Sequence, residues 1–114
     1  DEGHNSGIFV RGPANPGARV SQSTFYEINI ADTHGSGFTT GSIVDKKVFE
    51  PVPKTAGKWN TMDITANGRD ISVALNGEKG LEIQDSTHYS GVVVLQVFGQ
   101  GRVRFKNIKI LEID

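Results

Sequence analysis

The sequence of 114 residues predicts an all-β chain, and three observations carry that expectation. Short alternating apolar runs recur along it, its 14 glycines fall mostly between those runs, and no stretch keeps a helical period with caps. Two Asn-Gly pairs, Asn67-Gly68 and Asn76-Gly77, sit between alternating runs, where a type I′ turn needs φ > 0 at both central residues.

The expected strands run from Gly7 to Arg11, Thr24 to Ala31, Phe38 to Val44, Asn60 to Ala66, Asp70 to Leu75, Lys79 to Ile83, Val92 to Phe98 and Arg102 to Ile113. The Asn-Gly pairs tie Asn60 through Ile83 into a three-stranded meander with Ile71, Val73 and Leu75 facing inward. Pro13 to Gly17 and Glu50 to Gly57 read as surface loops, because proline removes the donors that a central strand needs. In the last strand the apolar set shifts from Val103 and Phe105 to Ile108 and Ile110, which predicts a bulge near Asn107.

With 36% hydrophobic residues the chain makes one domain, residues 1–114, with a modest core and room for one site. A formal net charge of -1 with scattered basic residues gives no nucleic-acid footprint. No run of apolar residues is long enough to cross a membrane, and Asp1 to Asn5 do not form a signal peptide. Cysteine is absent, so neither a disulfide framework nor a thiolate metal site is expected.

The segment Tyr26 to Asp32 points Tyr26, Ile28 and Ile30 one way and Phe25, Glu27, Asn29 and Ala31 the other. A carboxylate beside an amide suits a sugar-binding face, although an ordinary half-solvated strand carries the same residues. Arg11 lies opposite the aliphatics of its strand, and Gln96 shares the parity of Val94, so Arg11, Glu27, Asn29 and Gln96 could line one surface. A cross-strand ion pair between Arg11 and Glu27 is the structural alternative.

Paired-acid glycoside hydrolysis needs carboxyl groups about 5 Å apart for retention or roughly 6.5 to 9.5 Å for inversion. Glu27 and Asp32 would stand roughly 16 Å apart along an extended strand and on opposite faces. They cannot be that pair within one strand. His4, His34 and His88 fall in loops without metal-site spacing, and no metal centre is expected. His34 follows Asp32 by two positions and could be oriented by it as a general base, while Trp59 could stack on a sugar or serve as a rim residue.

Several segments together resemble the 3-keto-disaccharide hydrolase domain family. They are Asn5-Ser6-Gly7-Ile8-Phe9-Val10-Arg11, Tyr26-Glu27-Ile28-Asn29-Ile30, Thr40-Gly41-Ser42-Ile43, Ala56-Gly57-Lys58-Trp59-Asn60-Thr61 and Leu75-Asn76-Gly77. After them come Gly91 followed by Leu95-Gln96, and Val103-Arg104-Phe105-Lys106-Asn107-Ile108-Lys109-Ile110. The resemblance implies a concanavalin-like (LamG-like) jelly-roll β-sandwich, usually exported by bacteria to the periplasm or beyond, acting on oxidised glycosides and needing no cofactor.

The chemistry it implies requires one base, because a ketone at sugar C3 acidifies the C2 proton and lets the C1 substituent leave by β-elimination. Glu27 is the candidate base and His34 the alternative. Arg11 and Gln96 would hold the keto and hydroxyl oxygens, and Asn29 would orient the ring. The family commonly continues its Leu-Gln motif with an acid and a histidine, whereas this chain reads Leu95-Gln96-Val97-Phe98-Gly99. That departure favours the alternative of a non-catalytic carbohydrate-binding or adhesion module.

The family domain also usually opens well upstream of the Asn-Ser-Gly motif, so the resemblance implies a natural short form or a fragment of the longer domain. Exposed sheet edges would follow, and with them pairing to another copy of the chain. A purely structural assembly domain is the third reading.

Overall fold

The computed structural model describes residues 5–14, 20–96 and 103–111. Six strands form two antiparallel sheets: β1 (Ser6–Gly12), β2 (Tyr26–Ile30), β3 (Met62–Asn67), β4 (Asp70–Leu75), β5 (Glu78–Gln84) and β6 (Val92–Leu95). The first sheet has the order β2-β1-β6 and the second is the meander β3-β4-β5. No helix occurs among the described residues. The chain is a two-layer β-sandwich, as the alternating pattern predicts.

Alternation decides what each sheet buries. Val10, Tyr26 and Ile28 of the first sheet meet Ile71, Val73, Leu75 and Leu81 of the meander, with Ile43 and Phe49 of the intervening segment completing the core. Each fully buried aliphatic here contributes roughly 1.5–3 kcal/mol relative to an exposed one. The opposite face of the meander carries Asp63, Thr65, Ser72 and Glu82 toward solvent, so its inner and outer faces are well separated in polarity.

The two hairpins of the meander use different turns. At β4–β5 the central residues are Asn76 and Gly77, with φ of 53° and 86°, as a type I′ turn requires. At β3–β4, Asn67 pairs with Asp70, which makes Gly68 and Arg69 the central residues. Only Gly68, at φ 60°, is left-handed there, which is the sign pattern of type II′.

Phe38 to Val44 forms no strand. Gly41 takes φ 88°, and the segment lies against β2 through one bridge, Ile28 to Ile43. Three backbone bonds of 2.9 Å hold it there: Gly41 N–H to Asn29 O, Asn29 N–H to Ser42 O, and Val44 N–H to Glu27 O. β6 ends at Leu95, after which the Gln96 N–H still bonds Gly7 O, while Val97 and Phe98 lie outside the described residues. Residues 103–111 form no strand either. The apolar parity shift coincides with φ 53° at Asn107, and Ile108, Ile110 and Leu111 are exposed.

Phe49 closes the core between the two sheets by packing on glycine backbone. A Cβ at Gly80 would fall 2.2 Å from its ring, and one at Gly41 2.7 Å from it. Gly80 carries no left-handed φ, so the effect of a side chain there is steric alone. Gly80→Ala is expected to lower stability by about 1–3 kcal/mol, read as a reduced thermal midpoint. An unchanged midpoint would show that Phe49 can leave without cost.

Candidate active site on the outer face of the first sheet

Ladder register brings the candidate residues together. Phe9 faces Glu27 and Val94 across β1–β2 and β1–β6, and Gly7 faces Asn29 in the next row. Gln96 joins that row: its N–H bonds Gly7 O at 2.9 Å, and its Oε1 lies 3.3 Å from the position a Gly7 Cβ would take. Glu27, Asn29 and Gln96 therefore share the face turned away from the core, as their parity predicts. Phe9 and Phe25 pack edge to face on it, with centroids 6.0 Å apart.

Glu27 is half-buried beside those rings. Desolvation raises its pKa above the ordinary glutamate value, the charge of His34 opposes that rise, and the charge of Asp45 adds to it. Asp45 is a residue that the sequence pattern did not single out. It occupies a left-handed position, φ 64°, one residue after the Val44 N–H that bonds Glu27 O. Asp45→Asn keeps a residue that tolerates this φ and removes the charge, so the Glu27 carboxyl should titrate at lower pH. Carboxyl-detected NMR titration checks this, and an unmoved midpoint would remove Asp45 from the account.

His34 is exposed in a tight turn. Its Nδ1 accepts the Ser36 N–H at 3.2 Å and lies 2.7 Å from Ser36 Oγ. An Nδ1 occupied as an acceptor leaves the proton of the neutral ring on Nε2. That tautomer suits His34 as a donor near Glu27 better than as a competing base.

Asp32 is bonded to Thr40 and to the Thr55–Ala56 segment. Its carboxylate accepts from Thr40 Oγ1 at 2.6 Å, Thr55 Oγ1 at 2.6 Å, Thr55 N–H at 2.5 Å and Ala56 N–H at 3.1 Å. Desolvation alone would raise its pKa, but these bonds outweigh it and hold the pKa below the usual carboxylate value. Asn29 is similarly committed, with Nδ2 donating to Phe38 O at 2.6 Å and Oδ1 accepting from Ile30 N–H at 3.1 Å. It shapes the rim of the face by holding the segment that follows β2.

Arg11 departs from its expected place. Its φ is 60°, at the register shift between Phe9 and Gly12, and the bulge swings the side chain to the turn of the β3–β4 hairpin. There it donates to Ala66 O at 2.9 Å, to His88 O at 3.3 Å and to Gly68 O. It neither shares the Glu27 face nor pairs with Glu27. Trp59 stands apart, just before β3, 54% exposed with Lys106 Nζ 4.0 Å from its ring centroid. Gln96 Oε1 is buried without a hydrogen-bond partner among the described residues, which marks it as an unused acceptor on the face.

A second polar cluster lies at the end of the sandwich. The Tyr26 hydroxyl donates to Asp85 Oδ1 at 2.6 Å and accepts the His88 N–H at 3.1 Å, and Lys46 Nζ lies 3.2 Å from Asp85 Oδ2. Burial would raise the Asp85 pKa, but hydrogen bonds from Thr87, Tyr26 and Lys46 dominate and keep it strongly depressed. A cleft of about 440 Å³ opens beside this cluster and is not lined by Glu27. Its volume alone does not make it the reacting site, since its walls offer no carboxylate base.

The two-layer β-sandwich is shared with solved structures that are designated glycosyl hydrolases. A crystal structure from Parabacteroides distasonis, designated a "putative glycosyl hydrolase", superposes with a TM-score of 0.61 at 32% identity, over 74% of this chain and 46% of that one. A second from the same organism, with the same designation, shares the fold at 21% identity and a TM-score of 0.59, over 70% of this chain and 42% of that one. The chain thus spans less than half the length of either. The 3-keto-alpha-glucoside-1,2-lyase-like domain family matches residues 1–111, and the chain belongs to that family. No curated protein shows significant similarity to it.

Proposed function

We propose that this domain acts on 3-keto-glycosides by β-elimination, with Glu27 as the base on the outer face of the first sheet. The observation that carries this reading is the placement of Glu27: half-buried, across the ladder from Phe9, with its proton affinity raised by desolvation. A raised proton affinity makes the carboxylate, once ionised, a better base for a carbon acid.

In the proposed step Glu27 takes the C2 proton, and the electron pair passes into the C3 ketone as an enolate. Its return forms the C1–C2 double bond as the C1–oxygen bond breaks and the alcohol leaves with a proton. In this reading His34, through Nε2–H, stabilises the enolate or protonates the leaving oxygen. Water then adds across the double bond. A single carboxylate suffices for this chemistry.

Incubation of the protein with a 3-keto-disaccharide should release monosaccharide, and the unoxidised parent disaccharide should remain intact. Equal cleavage of both would remove the elimination chemistry. Binding without turnover is the second reading, favoured by the commitment of Arg11 to backbone carbonyls away from this face. It predicts saturable sugar binding with no product.

A further inference from the structure

The cleft at the end of the sandwich is bounded by Arg11 to Ala14 where β1 ends, by Thr24, and by the loop from Thr87 to Val92. Hydrogen bonds hold the backbone of the loop on one side of it. The Tyr26 hydroxyl accepts the His88 N–H at 3.1 Å, and Arg11 donates to His88 O at 3.3 Å, so both backbone polar groups of His88 are held. Thr87 N–H bonds Asp85 Oδ1 at 2.8 Å. At the other end of the loop, a Cβ on Gly91 would stand 2.3 Å from Gly12 O, which places loop and strand end in direct backbone contact. Ordering costs that a mobile loop would impose on binding are therefore already met by the fold.

What the walls leave unused is specific in kind. The Tyr89 ring is 59% exposed. The His88 ring is held edge-on to Tyr26 at 4.9 Å, and neither imidazole nitrogen has a partner among the described residues. Ser90 adds a hydroxyl. The one formal charge on the walls is Arg11, and its donors are already directed to Ala66, Gly68 and His88 carbonyls. A cation would meet that guanidinium, an anion would find its donors taken, and an apolar ligand would strand the imidazole and hydroxyl.

A neutral polyol with one apolar face meets none of these penalties. Such a ligand lays its C–H face on an aromatic ring and spends its hydroxyls on uncharged donors and acceptors. The cleft, of about 440 Å³, is shallow and open, so it would take a sugar along one face and not enclose it.

We propose that this cleft is a separate, non-catalytic binding site for a neutral pyranoside, with Tyr89 as the stacking platform and His88 and Ser90 as hydrogen-bond partners. The site is independent of the chemistry assigned to Glu27, and it would anchor a sugar chain on the domain whether or not the outer face turns substrate over.

The test is an NMR titration of the isotope-labelled chain with methyl α-glucopyranoside, maltose and cellobiose. At least one sugar should cause saturable shifts in the amides of residues 87–92 and of Arg11, Gly12 and Ala14. Tyr89→Ala, at an exposed position, should weaken that binding by about tenfold while the rest of the spectrum is preserved. Glu27→Gln should leave it within about twofold, which separates this site from the proposed catalytic one. Absence of saturable shifts with all three sugars, shifts confined to the Glu27 face, or wild-type affinity in Tyr89→Ala would each overturn the proposal.

Discussion

Glu27→Gln is expected to reduce release of product from a 3-keto-disaccharide by roughly 10²–10⁴-fold, the usual worth of a positioned general base. Gln preserves the size of the side chain and removes its ability to take a proton. The folded state raises the Glu27 pKa, so the sign of its effect on stability follows directly. Protonated Glu27 suits the fold, and that stability is present below the unfolded pKa and is lost as pH rises through the folded value. Above the folded-state pKa the ionised side chain is therefore a net cost, and a neutral Gln relieves it. The variant should be at least as stable as the parent, which means that lost activity cannot be ascribed to unfolding.

Catalysis needs the ionised form, so activity should rise with pH along an acid limb displaced above the ordinary glutamate range, and Asp45→Asn should move that limb down. Full turnover in Glu27→Gln would pass the role to His34 or end the elimination account.

Much of this arrangement was legible from periodicity, and what was not has identifiable causes. The meander followed from alternation because Ile71, Val73 and Leu75 keep an unbroken ladder to β3 with tight turns at both ends of β4, although the β4–β5 register shifts between Val73 and Ala74. Parity also placed Glu27, Asn29 and Gln96 on one face correctly, since β2 and the β6 end keep their register. The same rule failed for Arg11, where a left-handed residue inside a strand breaks the alternation on which the rule depends. Arginine gives no warning of this, as glycine or asparagine would.

Phe38 to Val44 shows a different failure. Its apolar spacing resembles a strand, but the bonds from its backbone to Glu27 and Asn29 are made around a left-handed Gly41, and only a bridge results. Asp45 was passed over because its influence on Glu27 arises from a turn lying beside β2, a proximity that no local pattern contains. The partners of Asp32 were hidden for the same reason, with Thr55 and Ala56 more than twenty positions away in the chain.

Asp32→Ala is expected to destabilise the domain by on the order of 3 kcal/mol, because bonds to a charged acceptor are each worth about 1.5–3 kcal/mol and backbone donors would be left unpaired. The carboxylate joins three stretches of chain: the end of β2, Thr40, and the Thr55–Ala56 segment that leads toward β3. Removing it frees the N–H groups of Thr55 and Ala56 and the hydroxyls of Thr40 and Thr55 together, three of which belong to the buried residues Thr40 and Thr55. Asp32→Asn keeps one acceptor oxygen and turns the other group into a donor facing donors, so it should recover only part of the loss.

The pH dependence has the opposite sign to that of Glu27. A depressed folded pKa contributes stability that is present above the unfolded aspartate value and disappears as pH falls through the folded one. Urea unfolding should accordingly show a large drop in midpoint for Asp32→Ala at neutral pH with an unchanged slope, and a difference from the parent that narrows as the solution is acidified. A neutral-pH midpoint equal to that of the parent would mean that the loop carrying Thr55 is held by its packing alone, and that Asp32 is free for a role at the rim of the Glu27 face.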